Sequence, residues 1–269
     1  MIDLTARQIV AFQRKILRFY KLYGRDLPFR RTTDPYRITV AESMLQQTQV
    51  DRVVPKYEAW IRRWPTWQAL ARSNRRQLLT MWSGLGYNRR CLYLGELANI
   101  VVTQYLGKLP DDPALLQKLP GLGPYTSNAI LIFAFNRPLI TIDTNIRRVL
   151  MHEFRLPAST SKAELEILAR RLLPRGRSRD WHNALMDYSV LRLPRKLPSV
   201  PPQSRQSRFL GSVRQIRGEI IRRLTRSNKL DIEALSREMK RSEADVCNAA
   251  LALQKEGTIR ISGKIIRLA

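Results

Sequence analysis

Apolar residues recur at spacings of three and four through most of the chain, as at Ile9, Phe12, Ile16, Phe19 and Leu22. That is the periodicity of an amphipathic helix rather than of a strand. It predicts helices over about 5–23, 36–49, 51–63, 74–82, 88–105, 113–118, 123–134, 144–153, 161–173 and 179–191, parted by short turns bearing Pro or Gly. Beyond about residue 209 the pattern changes. Helical stretches at about 211–226, 231–240 and 242–256 precede two alternating apolar runs around Ser262-Gly263, the mark of a hairpin. This last segment looks like a winged helix-turn-helix domain. The expected division is therefore an all-α domain over 1–191, a linker over 192–208 and a small winged-helix-like domain over 209–269.

Charge sharpens the picture. Of 269 residues, 48 are Lys or Arg and 22 are Asp or Glu, a net charge of +26. A surplus of that size on a soluble protein fits a polyanion, because phosphate contacts dominate nucleic-acid affinity. Residues 188–218 hold seven Lys or Arg, four prolines and no acid, which reads as a basic connection along a nucleic-acid backbone or as an ordinary solvated linker. The longest apolar run, 129–135, is far too short to span a bilayer. The N-terminus lacks the basic start and apolar core of a secretory signal. A cytoplasmic, membrane-free, monomeric protein is expected, nucleoid-associated in a prokaryote. Cys91 and Cys247 lie far apart, with only His152 and His182 beside them, so no metal-ligand spacing is present and no cofactor is expected.

The most informative segment is Leu119-Pro120-Gly121-Leu122-Gly123. Two glycines flank one apolar residue between an apolar helix end and a second helix, so the backbone can approach a phosphate and the second helix can offer its N–H groups. Alone, it could equally be a tight turn between helices. Eighteen residues after Tyr125 comes Asp143, at a helix start, where an aspartate also serves as an N-cap. In the last domain, Ser242 and Asp245 form a capping-box-like start to the third helix. Glu243 and Asp245 there would repel phosphate, which favours protein contact or plain stabilisation over base readout. The first helix, with Arg214, Arg217, Arg222, Arg223 and Arg226, is the expected phosphate contact.

A hairpin followed by an aspartate is the pattern of the helix-hairpin-helix DNA glycosylases, whose fold has two helical lobes and a DNA cleft. Over about residues 25–190 the chain resembles the MutY-type adenine glycosylases of that superfamily. The resemblance rests on Leu27-Pro28-Phe29-Arg30, Pro35-Tyr36-Arg37-Ile38, Glu42-Ser43-Met44-Leu45-Gln46-Gln47-Thr48-Gln49-Val50, Trp82-Ser83-Gly84-Leu85-Gly86-Tyr87, the hairpin, Ile142-Asp143-Thr144-Asn145 and Asn183-Ala184-Leu185-Met186-Asp187.

The resemblance implies base-excision repair of double-stranded DNA at a mismatched or damaged pair, on a nucleotide flipped out of the stack. Glu42 would protonate the adenine ring and then activate water, and Asp143 would stabilise the oxocarbenium-like sugar. Tyr125 stands where endonuclease III-type enzymes carry a Schiff-base lysine. A phenol cannot do that chemistry, which implies base release without strand cleavage. Gln46, Gln47 and Tyr87 match positions that wedge into the stack; being adjacent on a helix, the two glutamines would point differently. Leu119, Gly121, Leu122, Gly123 and Thr126 would hold one DNA strand.

Two departures stand out. Many relatives bind an iron–sulfur cluster through four cysteines in the stretch where this chain, over 191–206, has none; Arg192, Arg195 and Lys196 would contact phosphate there instead. The roughly 60 residues left after it are too few for the Nudix-like domain that reads 8-oxoguanine. Beside adenine excision opposite G or 8-oxoguanine, two readings stay open: a thymine or uracil glycosylase acting opposite G, and a DNA-binding protein without catalysis.

Overall fold

A computed structural model describes residues 4–195, 197, 200 and 211–269. Its helices are α1 (Ala6–Tyr23), α2 (Pro35–Leu45), α3 (Val50–Arg63), α4 (Trp67–Ala71), α5 (Arg75–Trp82), α6 (Arg89–Gln104), α7 (Pro113–Leu116), α8 (Pro124–Phe135), α9 (Thr144–Glu153), α10 (Lys162–Leu172), α11 (Ser178–Leu191), α12 (Val213–Leu224), α13 (Ile232–Met239) and α14 (Glu243–Lys255). Three short strands, β1 (Leu230–Asp231), β2 (Ile259–Ser262) and β3 (Ile265–Leu268), form one antiparallel sheet in the order β1-β3-β2. None of the described helices is long and apolar enough to cross a membrane.

The chain folds into two compact units. The first comprises Met1–Ile38, Asp111–Gln117 and Leu122–Arg205. Here α1 starts at a Thr5–Gln8 capping box and buries Phe12 and Ile16 against α9 and α11. Phe12 meets Phe154 and Trp181 edge-on at 5.0 and 5.8 Å, the arrangement aromatic quadrupoles favour. Two of the sequence motifs meet in this unit as an ion-pair clamp. Asp187, fully buried on α11, accepts from the Arg25 backbone N–H, the Arg25 Nε–H and both Arg30 Nη groups at 2.6–3.0 Å. Burial pushes its carboxyl up, but the bonds and charge of Arg30 and then of Arg25 outweigh that and hold it below the usual range. Leu27–Arg30 and Asn183–Asp187 thus hold the segment before α2 onto α11.

The second unit comprises Thr39–Pro110, Lys118–Gly121 and Gln206–Ala269. Trp60 of α3 and Trp82 of α5 are fully buried and pack edge-on at 5.6 Å. The C-terminal helices and hairpin have the expected winged-helix order, and they share a core with α5: Leu79 is fully buried among Ile216, Ile220, Leu253 and Ile266. Arg76 on α5 donates to the carbonyls of Leu224 and Ser227 at 2.8 and 3.1 Å, serving the last-turn acceptors of α12.

Three local readings change. The helix expected over 36–49 stops at Leu45, because Gln47 takes a left-handed backbone conformation (φ 54°). The short α4 was not anticipated; five residues display no periodicity, and its signal was the Thr66 cap, whose side chain accepts from the Ala69 N–H. On α12, three of the five arginines expected to meet phosphate are already matched. Arg217 pairs with Glu256 at 2.5 Å, Arg222 and Arg223 with Glu219, and Arg223 also with Glu238. Glu219, three and four positions before Arg222 and Arg223, was readable from helical spacing; the acids supplied by α13 and by the end of α14 were not.

Candidate active site and DNA interface

In the first unit Asp143 is the N-cap of α9. One carboxylate oxygen accepts the Ile146 N–H at 2.7 Å and the other accepts the Asn145 side-chain amide at 3.0 Å. Cap and candidate catalytic group are the same side chain. Burial pushes its pKa above the usual carboxylate range, against the pull of those bonds towards the anion. A polar chain supports it from behind. The Ser189 hydroxyl donates to Asn145 Oδ1 at 3.4 Å, Arg148 donates to Ser189 Oγ at 3.2 Å, and the second Nη of Arg148 reaches the carbonyl of Pro194 at 2.5 Å.

The segment leading to Asp143 is fixed from two sides. Asn128 of α8 donates to the Ile140 carbonyl at 3.2 Å, and the buried His182 of α11 accepts the Thr141 N–H through Nε2 at 3.3 Å. For Nε2 to accept, Nδ1 must carry the proton, and it lies 2.7 Å from the Ser178 carbonyl. The ring is therefore held neutral, and burial pushes its pKa down to about 4. Ser189, Arg148 and His182 escaped the sequence reading because their partners, the Asn145 side chain and backbone groups of remote segments, form no local residue pattern. Only Asn145 lay within a quoted motif.

The hairpin turn needs its first glycine twice over. Gly121 has φ 77°, and a Cβ there would sit 3.0 Å from the Tyr93 Cβ. Gly123 is the N-cap of α8, contributes no side-chain cap and is followed by Pro124, so the first turn presents backbone to an anion. Leu119, Leu122 and Thr126 are buried, which leaves backbone groups as their means of touching a phosphate. Tyr125, in that first turn, is 40% exposed.

In the second unit, Glu42 lies on α2, partly buried. Gln46 and Gln47 sit beyond the helix end, not on it; an exposed Gln47 with φ 54° occupies the turn. Tyr87, 44% exposed, is also left-handed (φ 49°) and follows two left-handed glycines, Gly84 and Gly86. Such conformations cost about 1–3 kcal/mol at a non-glycine residue and persist only where the surroundings impose them.

Arg90 imposes both. One Nη donates to the carbonyls of Ser43, Met44 and Gln46 at 2.7–3.1 Å, and the other to Thr48 Oγ1, Leu85 O and Gly86 O at 3.1–3.3 Å. Its guanidinium lies 5.3 Å from the Trp82 ring centroid and 5.5 Å from that of Tyr87. Burial lowers its pKa to about 10, so it remains cationic at neutral pH. The turn bearing Gln46 and Gln47 and the turn bearing Tyr87 are thereby one rigid element. Arg90 was not singled out from the sequence, since a fork of donors aimed at carbonyls leaves no residue pattern.

At the end of α11, Arg192 and Arg195 are exposed, while Leu193 and Val200 are buried in the core of the first unit with Leu197 against it. Lys196 lies outside the described residues. The two cysteines are on α6, where Cys91 is buried, and on α14. Two thiols on those helices do not fit a four-cysteine cluster after α11, and the described residues include no group of three or more metal-binding side chains.

Comparison with known proteins agrees with this arrangement. Residues 40–175 match the HhH-GPD superfamily of base excision DNA repair proteins. An adenine DNA glycosylase of Mycolicibacterium smegmatis is 35% identical over 230 residues, covering 77% of this chain and 78% of that protein. Among solved structures, a thermostable thymine-DNA glycosylase superposes with a TM-score of 0.64 at 30% identity, covering 72% of this chain and 92% of the other. A trapped endonuclease III–DNA covalent intermediate gives 0.60 at 21% identity, over 69% and 86% of the two chains, a likeness of fold. With its hairpin, its capped aspartate and this likeness along most of its length, the chain belongs to the HhH-GPD superfamily of base excision DNA repair proteins.

Proposed function

We propose that the protein is a monofunctional adenine DNA glycosylase that hydrolyses the N-glycosidic bond of an adenine mispaired with G or 8-oxoguanine and leaves an abasic site. The observation that carries this reading is the combination of Glu42 and Asp143 with Tyr125, in a chain 35% identical to an adenine DNA glycosylase. In this reading Glu42 gives its proton to the adenine ring, the C1′–N bond breaks with its electrons going to the base, and Glu42, now a carboxylate, takes a proton from the water that adds to the sugar. Asp143 faces a sugar that becomes cationic only in the transition state. A carboxylate held away from water by burial and fixed by Ile146 and Asn145 stabilises that charge strongly, because the interaction is little screened and needs no rearrangement.

Tyr125 offers no amine, so a covalent imine and the strand cleavage that follows it are absent from this scheme. Gln46, Gln47 and Tyr87, held by Arg90, fill the stack when the adenine leaves it. Backbone groups of the hairpin hold the phosphates beside it, with Arg192 and Arg195 adding contacts. The protein works without a metal cluster: iron analysis of purified protein should find none, and stoichiometric iron would refute this.

A second reading, thymine or uracil excision opposite G, draws on the 30% identity to a thymine-DNA glycosylase. One experiment separates the readings. Duplexes holding A opposite 8-oxoguanine, A opposite G, T opposite G or U opposite G are incubated with the protein and treated with alkali. Cleavage at adenine alone is expected, and only after alkali. Cutting solely at T or U sinks the adenine reading, and cutting none of the four sinks catalysis.

A further inference from the structure

In the C-terminal domain the cations of α12 and of the hairpin tip are largely paired with acids, while a row of three across the sheet is not. Residues 211–269 hold thirteen Lys or Arg against seven Asp or Glu. Arg217, Arg222 and Arg223 are paired on α12, and Lys264 at the hairpin tip is bonded to Glu233 and Glu243 at 3.3 and 3.0 Å. On the sheet the opposite holds. Arg260 and Arg267 are directly opposed in the β2–β3 register and both are exposed. Directly opposed residues of an antiparallel pair share a face, here the one turned away from buried Ile259 and Ile266. Continuing the β1–β3 register by one residue places the exposed Lys229 beside Arg267.

The carboxylate on this face, Asp231, is turned to the start of α13, where it accepts the Ala234 N–H at 2.9 Å. Among the described residues no acid pairs with Lys229, Arg267 or Arg260. Like charges set directly opposite each other destabilise a sheet in isolation, so this face is built for an external anion. Adjacent strands lie about 4.8 Å apart, so the three charges fall within about 10 Å. Over that length a duplex presents about six phosphates.

We infer that the outer face of this sheet, through Lys229, Arg267 and Arg260, binds the phosphate backbone of duplex DNA without reading its sequence. This moves the domain's DNA contact from α12, whose arginines are largely spent on glutamates, to the wing. It rests on the reading of the chain as a DNA glycosylase, but its test needs no mismatch.

The test uses the full chain and a fluorescent, fully paired duplex, with affinity measured by anisotropy over a salt series. In Arg260→Gln/Arg267→Gln the slope of log affinity against log salt should fall in magnitude by about 1.8, from about 0.9 per lost phosphate contact. Arg260→Lys/Arg267→Lys should keep the wild-type slope, and so should Arg222→Gln, whose charge is matched in the domain. The thermal midpoint of the glutamine pair should not fall, since the substitution removes a repulsion. A wild-type slope in the glutamine pair, or an equal loss in Arg222→Gln, overturns the inference. Single-turnover excision at saturating protein is read separately: a chain that excises nothing but shows the slope loss would sink the glycosylase reading and leave the wing surface standing.

Discussion

At the scale of single residues, the site is made of side chains doing two jobs. Asp143 is the cap of α9 and, in the proposed reaction, the anion next to the reacting sugar, so its two jobs separate on substitution. Asparagine is as good a cap as aspartate. The folded-state carboxyl is pushed up by burial, which means that its ionised form opposes folding above the ordinary carboxylate range. Asp143→Asn should therefore abolish excision while its thermal midpoint at neutral pH stays level or rises; a large drop would show that the carboxylate is needed for the fold.

His182 makes an opposite kind of statement about pH. Its unfolded ring takes up a proton near pH 6.5 and its folded ring only near 4, so stability is full above that window and falls as pH is lowered through it. The loss amounts to about 3 kcal/mol, at roughly 1.4 kcal/mol per pH unit. Urea unfolding at several pH values should show the decline, and His182→Gln should flatten it. The residue holding the Asp143 approach is thus also the acid-sensitive one.

Between elements, the unit of design is a turn locked by an arginine. Truncating Arg90 to Met strands six acceptors around a buried site, at a cost of about 1–3 kcal/mol for each one that water does not reach. Arg90→Met should therefore lower the thermal midpoint markedly, and in the folded protein base flipping, followed by 2-aminopurine fluorescence, should be slowed severely while duplex affinity stays near the wild-type value. Tyr87→Ala should slow the same step about 5- to 150-fold, the kinetic equivalent of 1–3 kcal/mol of stacking, with Tyr87→Phe close to wild type. If Tyr87→Ala flips bases normally, the tyrosine is not part of the wedge.

This is also the scale at which sequence reading reaches its limit. Helix positions such as α1 were legible because they bury one stripe, and the hairpin because the motifs around its glycines decided a pattern that alone could be an ordinary tight turn. Where α2 ends was not legible. Leu45, Gln46 and Gln47 are acceptable helix residues, and what breaks the helix is an arginine more than forty positions away pulling on its last carbonyls. Asp187 shows the complementary case: a motif residue to which the sequence assigned no role is fully buried beneath Arg25 and Arg30 and holds the fold.

Across the whole molecule, residues remote in sequence complete each other's cores. Leu79 of α5 is buried with residues of α12, α14 and β3, so the C-terminal domain is an integral part of the second unit. Leu79→Ala should cost about 2–5 kcal/mol, the usual range for a buried leucine. Denaturant unfolding should register that cost by tryptophan fluorescence from Trp60 and Trp82 and by a reporter on β3 at the same midpoint. Separate midpoints for the two probes would mean that the domain folds on its own.

The end of α11 carries a consequence for where such a protein can operate. Its chain is tied down there by Leu193 and Val200 in the core and by Arg148 on the Pro194 carbonyl, with carbon and nitrogen doing the anchoring. Such an anchor has nothing to lose to a chelator, to superoxide or to nitric oxide. On the proposed cluster-free reading, protein made under iron starvation should excise its substrate as fast as protein made with iron; a loss of activity without iron would count against that reading.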